Sequence, residues 1–368
     1  MKRILALLCL GVALATMPGV HPLRAADPPA TEIIWHDVSS WGVEGQGWAP
    51  SELAARYDRL PAKAEKIVRP PVWSLSRHSA GISFRFNTDA PTIQLRHTVG
   101  SASLGMPHMP ATGVSGIDLY ALDDGKWKWV EVSRPKEVTT THVVSGLDPA
   151  LRTYLAYLPL YNSTVKVEVG VPKGATFQPV APRKDKPIVF YGTSITHGAS
   201  ASRPGMPHPA ILGRRLDKPV INLGFSGNGK MEPEVGALLT EIDAAVYVID
   251  CLPNMTEPEV AERAEALVRQ LREARSDTPI ILVEDRTYAN TWIMKSKRDR
   301  HAGSRSAFVR AYDNLVKSGV KGLSYVEGEA LLGDDTEGTT DGSHPNDLGF
   351  MRQADVLEPY LRKALGME

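Results

Sequence analysis

Ser194 sits in Gly192-Thr193-Ser194-Ile195-Thr196-His197-Gly198, directly after the apolar run Ile188-Val189-Phe190-Tyr191. Far downstream, Asp341-Gly342-Ser343-His344-Pro345-Asn346 carries a carboxylate and an imidazole three residues apart. A serine hydroxyl is a weak nucleophile until a base takes its proton, and an imidazole is a competent base once a carboxylate fixes its tautomer. Ser194, His344 and Asp341 are thus the residue types of acyl transfer through a covalent acyl-enzyme, and one short turn can carry the last two. The oxygen that gains charge in such a reaction needs donors held ready for it. Asn222-Leu223-Gly224-Phe225-Ser226-Gly227-Asn228 and Asp250-Cys251-Leu252-Pro253-Asn254 could supply them. Glycine lets a backbone N–H approach a substrate closely, and an asparagine amide is a second kind of donor.

Each of these residues has a plainer reading. Ser194 alone could cap a helix, His344 could open one before Pro345, and Asp341 could form a turn beside Gly342. One relay explains the set more economically than three coincidences. Gly224 to Met231 has the glycine and lysine spacing of a phosphate-binding loop, but Met231 stands where a hydroxyl should hold magnesium, so nucleotide binding is not expected. Cys251 at a strand end reads as packed rather than reactive. The candidate residues form no metal-ligating cluster, and no cofactor or metal is expected.

The surrounding elements follow from periodicity. From Ile188 onward, short apolar runs alternate with amphipathic stretches. Strands are expected at Ile188 to Tyr191, Val220 to Leu223, Ala244 to Ile249, Ile280 to Val283 and Leu323 to Val326. Helices are expected around Pro209 to Leu216, Glu232 to Ile242, Glu257 to Arg275, Arg305 to Lys317 and Leu348 to Leu365. Strands joined by such helices imply a parallel sheet covered on both faces, with its chemistry at the strand ends. Residues 31–180 instead show short alternating runs such as Ile82 to Phe86, Thr92 to Arg96, Lys126 to Val132 and Thr164 to Val169. Each buries one face, which points to a β-sandwich, jelly-roll-like. Asp124-Gly125 is a hairpin signal between two of these runs. The proline- and charge-rich stretch from Val171 to Pro187 reads as the connection to a second domain at 187–368.

Lys2 and Arg3 precede the apolar run Ile4 to Ala15, the layout of a signal peptide covering residues 1–26. Its removal would leave 39 basic against 42 acidic residues, and Cys251 as the remaining cysteine of two. No basic stripe recommends nucleic acid as a partner, and no stable membrane anchor is expected.

Residues 188–368 resemble an SGNH, or GDSL-type, hydrolase, whose four invariant letters fall on Ser194, Gly227, Asn254 and His344 in order. The resemblance implies a flavodoxin-like three-layer α/β/α sandwich. It also implies an oxyanion hole made of the Ser194 N–H, the Gly227 N–H and the Asn254 side chain. The first half is similar to the β-domain of one branch of these enzymes, with Gly116-Ile117-Asp118-Leu119-Tyr120 as its signature. Two departures stand out: Thr193 replaces the usual aspartate, and Leu252-Pro253-Asn254-Met255 replaces Gly-x-Asn-Asp.

The expectation is a secreted or periplasmic serine esterase. An appended β-domain, near-neutral charge and no long apolar lid favour acetyl or other small acyl groups on carbohydrate, with an acylated small molecule or polysaccharide as partner. A lipid-directed esterase or lysophospholipase is the alternative, and an inactive carbohydrate-binding protein a third. Candidate substrate contacts are His108, Asp118 and Tyr120, on the idea that the Met106 to Pro110 loop and the signature strand lean over the cleft. His197 beside the nucleophile, and Tyr288 and Trp292 after the fourth strand, complete that set.

Overall fold

The computed structural model describes residues 31–367, so the leader expected at the N-terminus lies outside the described residues. The first strands are β1 (Ile33–Asp37), β2 (Ser83–Thr88), β3 (Thr92–Val99), β4 (Asp118–Asp123), β5 (Lys126–Val132), β6 (Thr139–Ser145), β7 (Arg152–Tyr157), β8 (Thr164–Pro172) and β9 (Phe177–Val180). They form two antiparallel sheets, ordered β1-β8-β3-β6 and β5-β4-β7-β2-β9. Alternation does the sorting: in β3, Ile93, Leu95, His97 and Val99 are buried while the residues between them stay partly exposed. Phe84, Phe86, Ile93, Leu95, Leu119 and Val169 fill the space between the sheets. Asp124 and Gly125 both have positive φ (48° and 72°), as a two-residue hairpin turn requires.

Two stretches depart from the expected layout. The proline-rich connection contains β9, which pairs with β2 at the sheet edge, where Pro179 leaves no ladder donor missing. The segment from Val38 to Ser79 runs in short 3-10 turns and one helix, α1 (Pro70–Ser76), and spans both halves, with Val38, Val43 and Tyr57 in the sandwich core. Its Trp48, Leu60, Ala64, Val68 and Val72 are buried in the same apolar cluster as Val189, Tyr191 and Leu223 of the second half. A short α2 (Ala111–Val114) precedes β4.

The second half runs β10 (Ile188–Gly192), α3 (Ser194–His197), α4 (His208–Leu216), β11 (Val220–Gly224), α5 (Pro233–Thr240), β12 (Val246–Asp250), α6 (Glu257–Ala274), β13 (Ile280–Val283), α7 (Lys295–Lys317), β14 (Leu323–Val326) and α8 (Asp347–Ala364). Its five strands are parallel in the order β11-β10-β12-β13-β14, the flavodoxin-like doubly wound arrangement. β10 is buried throughout and feeds both layers. Ile188 and Phe190 pack with Leu212 of α4 and Phe350 of α8, whereas Val189 and Tyr191 pack with Leu238 of α5, Val260 of α6 and Phe308 of α7. The strand order reverses at β10, which places the residues after Gly192 at the crevice such sheets use for ligands. α7 begins at Lys295 rather than Arg305, because its first turns are polar and carry no apolar stripe to read.

Candidate active site

β10 ends at Gly192, and Thr193 then caps α3, its hydroxyl accepting the Ile195 N–H at 3.3 Å. Ser194 is therefore the first helical residue, at the strand's C-terminal end. α3 is one turn long because Gly198, with φ of 111°, takes the left-handed position that closes it. The Ser194 hydroxyl donates to His344 Nε2 at 2.8 Å, and His344 Nδ1 donates to Asp341 Oδ2 at 2.7 Å. The other Asp341 oxygen accepts the backbone N–H groups of Ser343 (3.0 Å) and His344 (2.8 Å), so one turn holds both acid and imidazole. Burial tends to raise the Asp341 pKa, but the His344 backbone, its ring and the Ser343 N–H outweigh it and leave the carboxyl below its usual range. Asp341 thereby fixes the tautomer that presents an acceptor to Ser194. Asn346 caps α8 through Gly349 N–H and donates to Glu337 O, and Ala289 N–H bonds Gly342 O, which pins this turn from both sides.

The two donor loops meet at the same crevice. After β11, Asn228 and Gly229 both donate to Phe225 O, closing a tight turn with Gly227 at φ 69°. Asn254 ends a 3-10 turn after β12, and its Oδ1 accepts the Gly229 N–H at 3.3 Å, which leaves its Nδ2 hydrogens for the cleft. Despite the altered residues around it, Asn254 lines the cleft together with Ser194, Gly227 and His344. The cleft measures about 290 Å³, and Ser226, Pro253, Tyr288 and Ser343 complete much of its wall. A larger groove of about 620 Å³ between Ile67 to Arg69 and α5 and α6 contains none of the relay residues.

Of the other candidates, Tyr288 lines the cleft and is itself buried against His301, with ring centroids 4.4 Å apart. Trp292 lies beyond it, 74% exposed, on the loop before α7. The His108 ring stands 6.4 Å from that of His344, carried by the Met106 to Met109 turn, whose Met109 is buried in the hydrolase core. Three expectations of substrate contact fail on burial. His197 is fully buried, stacked on Tyr161 at 4.0 Å and bonded to Leu160 O at 2.7 Å, and burial, followed by Arg59, holds its pKa well below the usual range. Asp118 and Tyr120 do not reach the cleft either. Asp118 Oδ2 accepts Arg203 Nη1 and Gly205 N–H, both at 2.8 Å, and Tyr120 OH bonds Arg203 as well. The signature strand is thus a latch between the two halves.

Cys251 is buried and its thiol pKa pushed well up by burial, in keeping with a packed role. Among the described residues no group of three or more His, Cys, Asp or Glu could hold a metal ion. Periodicity and motif spacing gave no sign of the supporting charges. Asp250, at the end of β12, pairs with Arg286 at 2.9 Å and accepts Thr196 Oγ1 at 3.1 Å, bracing α3 from below. A charge closing an apolar strand was the one available hint. Arg59 and Tyr161, from the first half, lie behind the same elements.

A doubly wound sheet with a serine at the end of its first strand, joined to a histidine before the last helix, defines the SGNH class of hydrolase folds. The chain belongs to the GDSL-like lipase/acylhydrolase family, whose profile matches residues 185–362, and it carries the N-terminal region of SGNH-hydrolase-type esterases at 33–177. It is an SGNH-type esterase in family. A protein described as a GDSL-like lipase from Bacteroides ovatus is 34% identical, with a TM-score of 0.86 over 91% of this chain and 98% of that one. The salicylyl-acyltransferase SsfX3 of a tetracycline biosynthetic pathway is 19% identical, with a TM-score of 0.69 over 92% and 99%. A family two carbohydrate esterase from Cellvibrio japonicus is 12% identical, with a TM-score of 0.59 over 92% and 100%. No curated protein matches the chain.

Proposed function

We propose that this chain is a serine esterase that removes small acyl groups, acetyl first, from carbohydrate. The observation that carries the reading is the continuous relay from Ser194 through His344 to Asp341, with contacts of 2.8 and 2.7 Å beside two donor loops. Ser194 Oγ attacks the ester carbonyl carbon while His344 Nε2 takes its proton. The carbonyl oxygen, now negative, is held by the Ser194 and Gly227 N–H groups and the Asn254 amide. The C–O bond to the alcohol breaks as His344 returns the proton to the leaving oxygen. Water, deprotonated by His344, then attacks the acyl-enzyme and releases the acid with Ser194 restored. Each oxyanion donor contributes about a hundredfold or more to turnover in enzymes of this chemistry.

The cleft wall favours a small acyl group. Serines, a glycine, an asparagine and a histidine supply most of it, with Ile195 and Pro253 as its aliphatic members, which suits an acetyl group and a hydroxyl-rich alcohol better than a long chain. Carbohydrate esterases share this fold, so acetylated sugars are the first substrates to try. The signal-like first 26 residues support export, which N-terminal sequencing of the protein from periplasm and medium would test.

Hydrolysis of p-nitrophenyl acetate should be abolished by Ser194→Ala, and acetate should be released from acetylated oligosaccharides. Activity that survives Ser194→Ala would end the serine mechanism. A preference for decanoyl over acetyl esters would end the carbohydrate assignment and favour a lipid substrate.

A further inference from the structure

β11 is an edge strand, with β10 on one side only. Carbonyls alternate along a strand, and Pro219 O accepts Ile188 N–H at the start of the β10 ladder. The carbonyls of Asn222 and Gly224 therefore point out of the sheet, where an edge strand usually meets water. Arg59 takes both of them. Its Nη1 donates to Asn222 O at 3.0 Å and to Gly224 O at 2.8 Å, its Nε to His78 O at 2.8 Å and its Nη2 to Leu75 O at 2.6 Å. The side chain is fully buried, and its guanidinium lies 5.2 Å from the centre of the Phe225 ring. A buried cation is an expensive way to fill space, so the direction of its bonds is the feature that distinguishes it from an apolar plug.

What Arg59 grips leads straight to the reaction. Gly224 opens the loop that carries Gly227. Asn222 reaches across with its side chain, donating to Thr196 O at 2.7 Å and accepting Gly224 N–H at 2.9 Å, so the same strand end is tied to α3 and its Ser194. Tyr161 adds a second hold, its hydroxyl donating to Ser194 O at 3.3 Å while its ring stacks on His197. Arg59 and Tyr161 both come from the half of the chain that precedes the hydrolase fold.

We infer that Arg59, with Tyr161 beside it, is a positioning residue for ester cleavage: it sets the spacing between the Ser194 turn and the Gly227 loop. The inference rests on the esterase reading above. Neither side chain touches the substrate. Lysine at position 59 would keep the charge but lose the planar fork that serves several carbonyls at once.

Arg59→Lys should lower kcat on p-nitrophenyl acetate by about tenfold or more, since small misplacements of reacting groups are felt strongly, and should leave KM within about twofold. Amide hydrogen exchange in residues 224–229 should quicken, while that of α8 stays as in the parent protein. Tyr161→Phe keeps the ring stack and deletes one hydroxyl, and should give a smaller kcat loss of the same kind. A role in stability alone would lower the unfolding midpoint and leave kcat per folded molecule unchanged. Folded Arg59→Lys with parental kcat and parental exchange in 224–229 overturns the inference. If Arg59→Lys does not fold, Tyr161→Phe decides, and parental kcat and exchange there overturn it equally. Should the parent protein cleave no ester, the esterase reading fails on its own, and the exchange measurement still judges whether Arg59 holds the loop.

Discussion

The relay owes its direction to Asp341. Its carboxylate accepts three hydrogen bonds, two from the backbone of its own turn and one from the His344 ring, so the imidazole has one way to sit. Asparagine there would keep an acceptor for the backbone but could offer its NH2 to Nδ1 and so favour the wrong tautomer. Asp341→Asn should lower kcat by about 10² to 10⁴-fold with little change in KM, measured on p-nitrophenyl acetate. The pH profile follows from the same bonds. Because they depress the Asp341 pKa, the carboxylate form is retained as pH falls, and its contribution is lost only through that lowered value. Asp341 should then add no step of its own to the fall of kcat/KM with pH above that lowered value. A separate step in the ordinary carboxylate range would mean that these hydrogen bonds do not keep Asp341 ionised. That Ser194, His344 and Asp341 would meet was legible in the sequence, because a nucleophile, its base and an orienting acid are restricted in residue type and loop position. His197 misled because adjacency in sequence says nothing about which side of a one-turn helix meets the cleft.

Bare backbone at the strand ends also limits how closely the loops around the cleft approach one another. At Gly224 a Cβ would stand 2.1 Å from the His197 backbone nitrogen, so β11 and α3 touch through bare backbone. Gly224→Ala should separate them, lowering stability by about 2 kcal/mol or more in urea unfolding and reducing turnover in what remains folded. Near-parental values for both would mean that the two elements tolerate a wider gap. The parallel strands were legible because each is a short apolar run, and β13 and β14 fall on Ile280–Val283 and Leu323–Val326 as expected. α6 was equally plain, with Val260, Ala264, Leu267, Val268 and Leu271 on its buried face. β1, β6, β7 and β9 were not. β6 reads Thr-Thr-Thr-His-Val-Val-Ser and buries little, so its apolar alternation is faint; β9 carries a proline that only its edge position permits.

Nothing in the periodicity of either half announces that the two share their interiors. Met109, Val114, Leu160 and Tyr161 from the first half are buried with Phe190, Ile211 and Phe350, and the Val38 to Ser79 segment enters the opposite layer through Leu60 and Val72. Asp118 then reaches Arg203 and Gly205 across the boundary, with Trp129 Nε1 donating to its second oxygen at 2.9 Å. Apolar burial is the main favourable term in folding, so halves that bury surface in common cores should not melt apart. Calorimetry of the chain without its first 30 residues should therefore show one transition, with calorimetric and van't Hoff enthalpies in near agreement, where two independent domains would give two. Asp118→Ala should move that transition down, because it strands the Arg203 charge at the boundary and costs about 3 kcal/mol. It should not split it, since the apolar contacts remain. A second, lower-melting transition in the parent protein would mean that the sandwich is a separable module and that the shared cores contribute little to cooperativity.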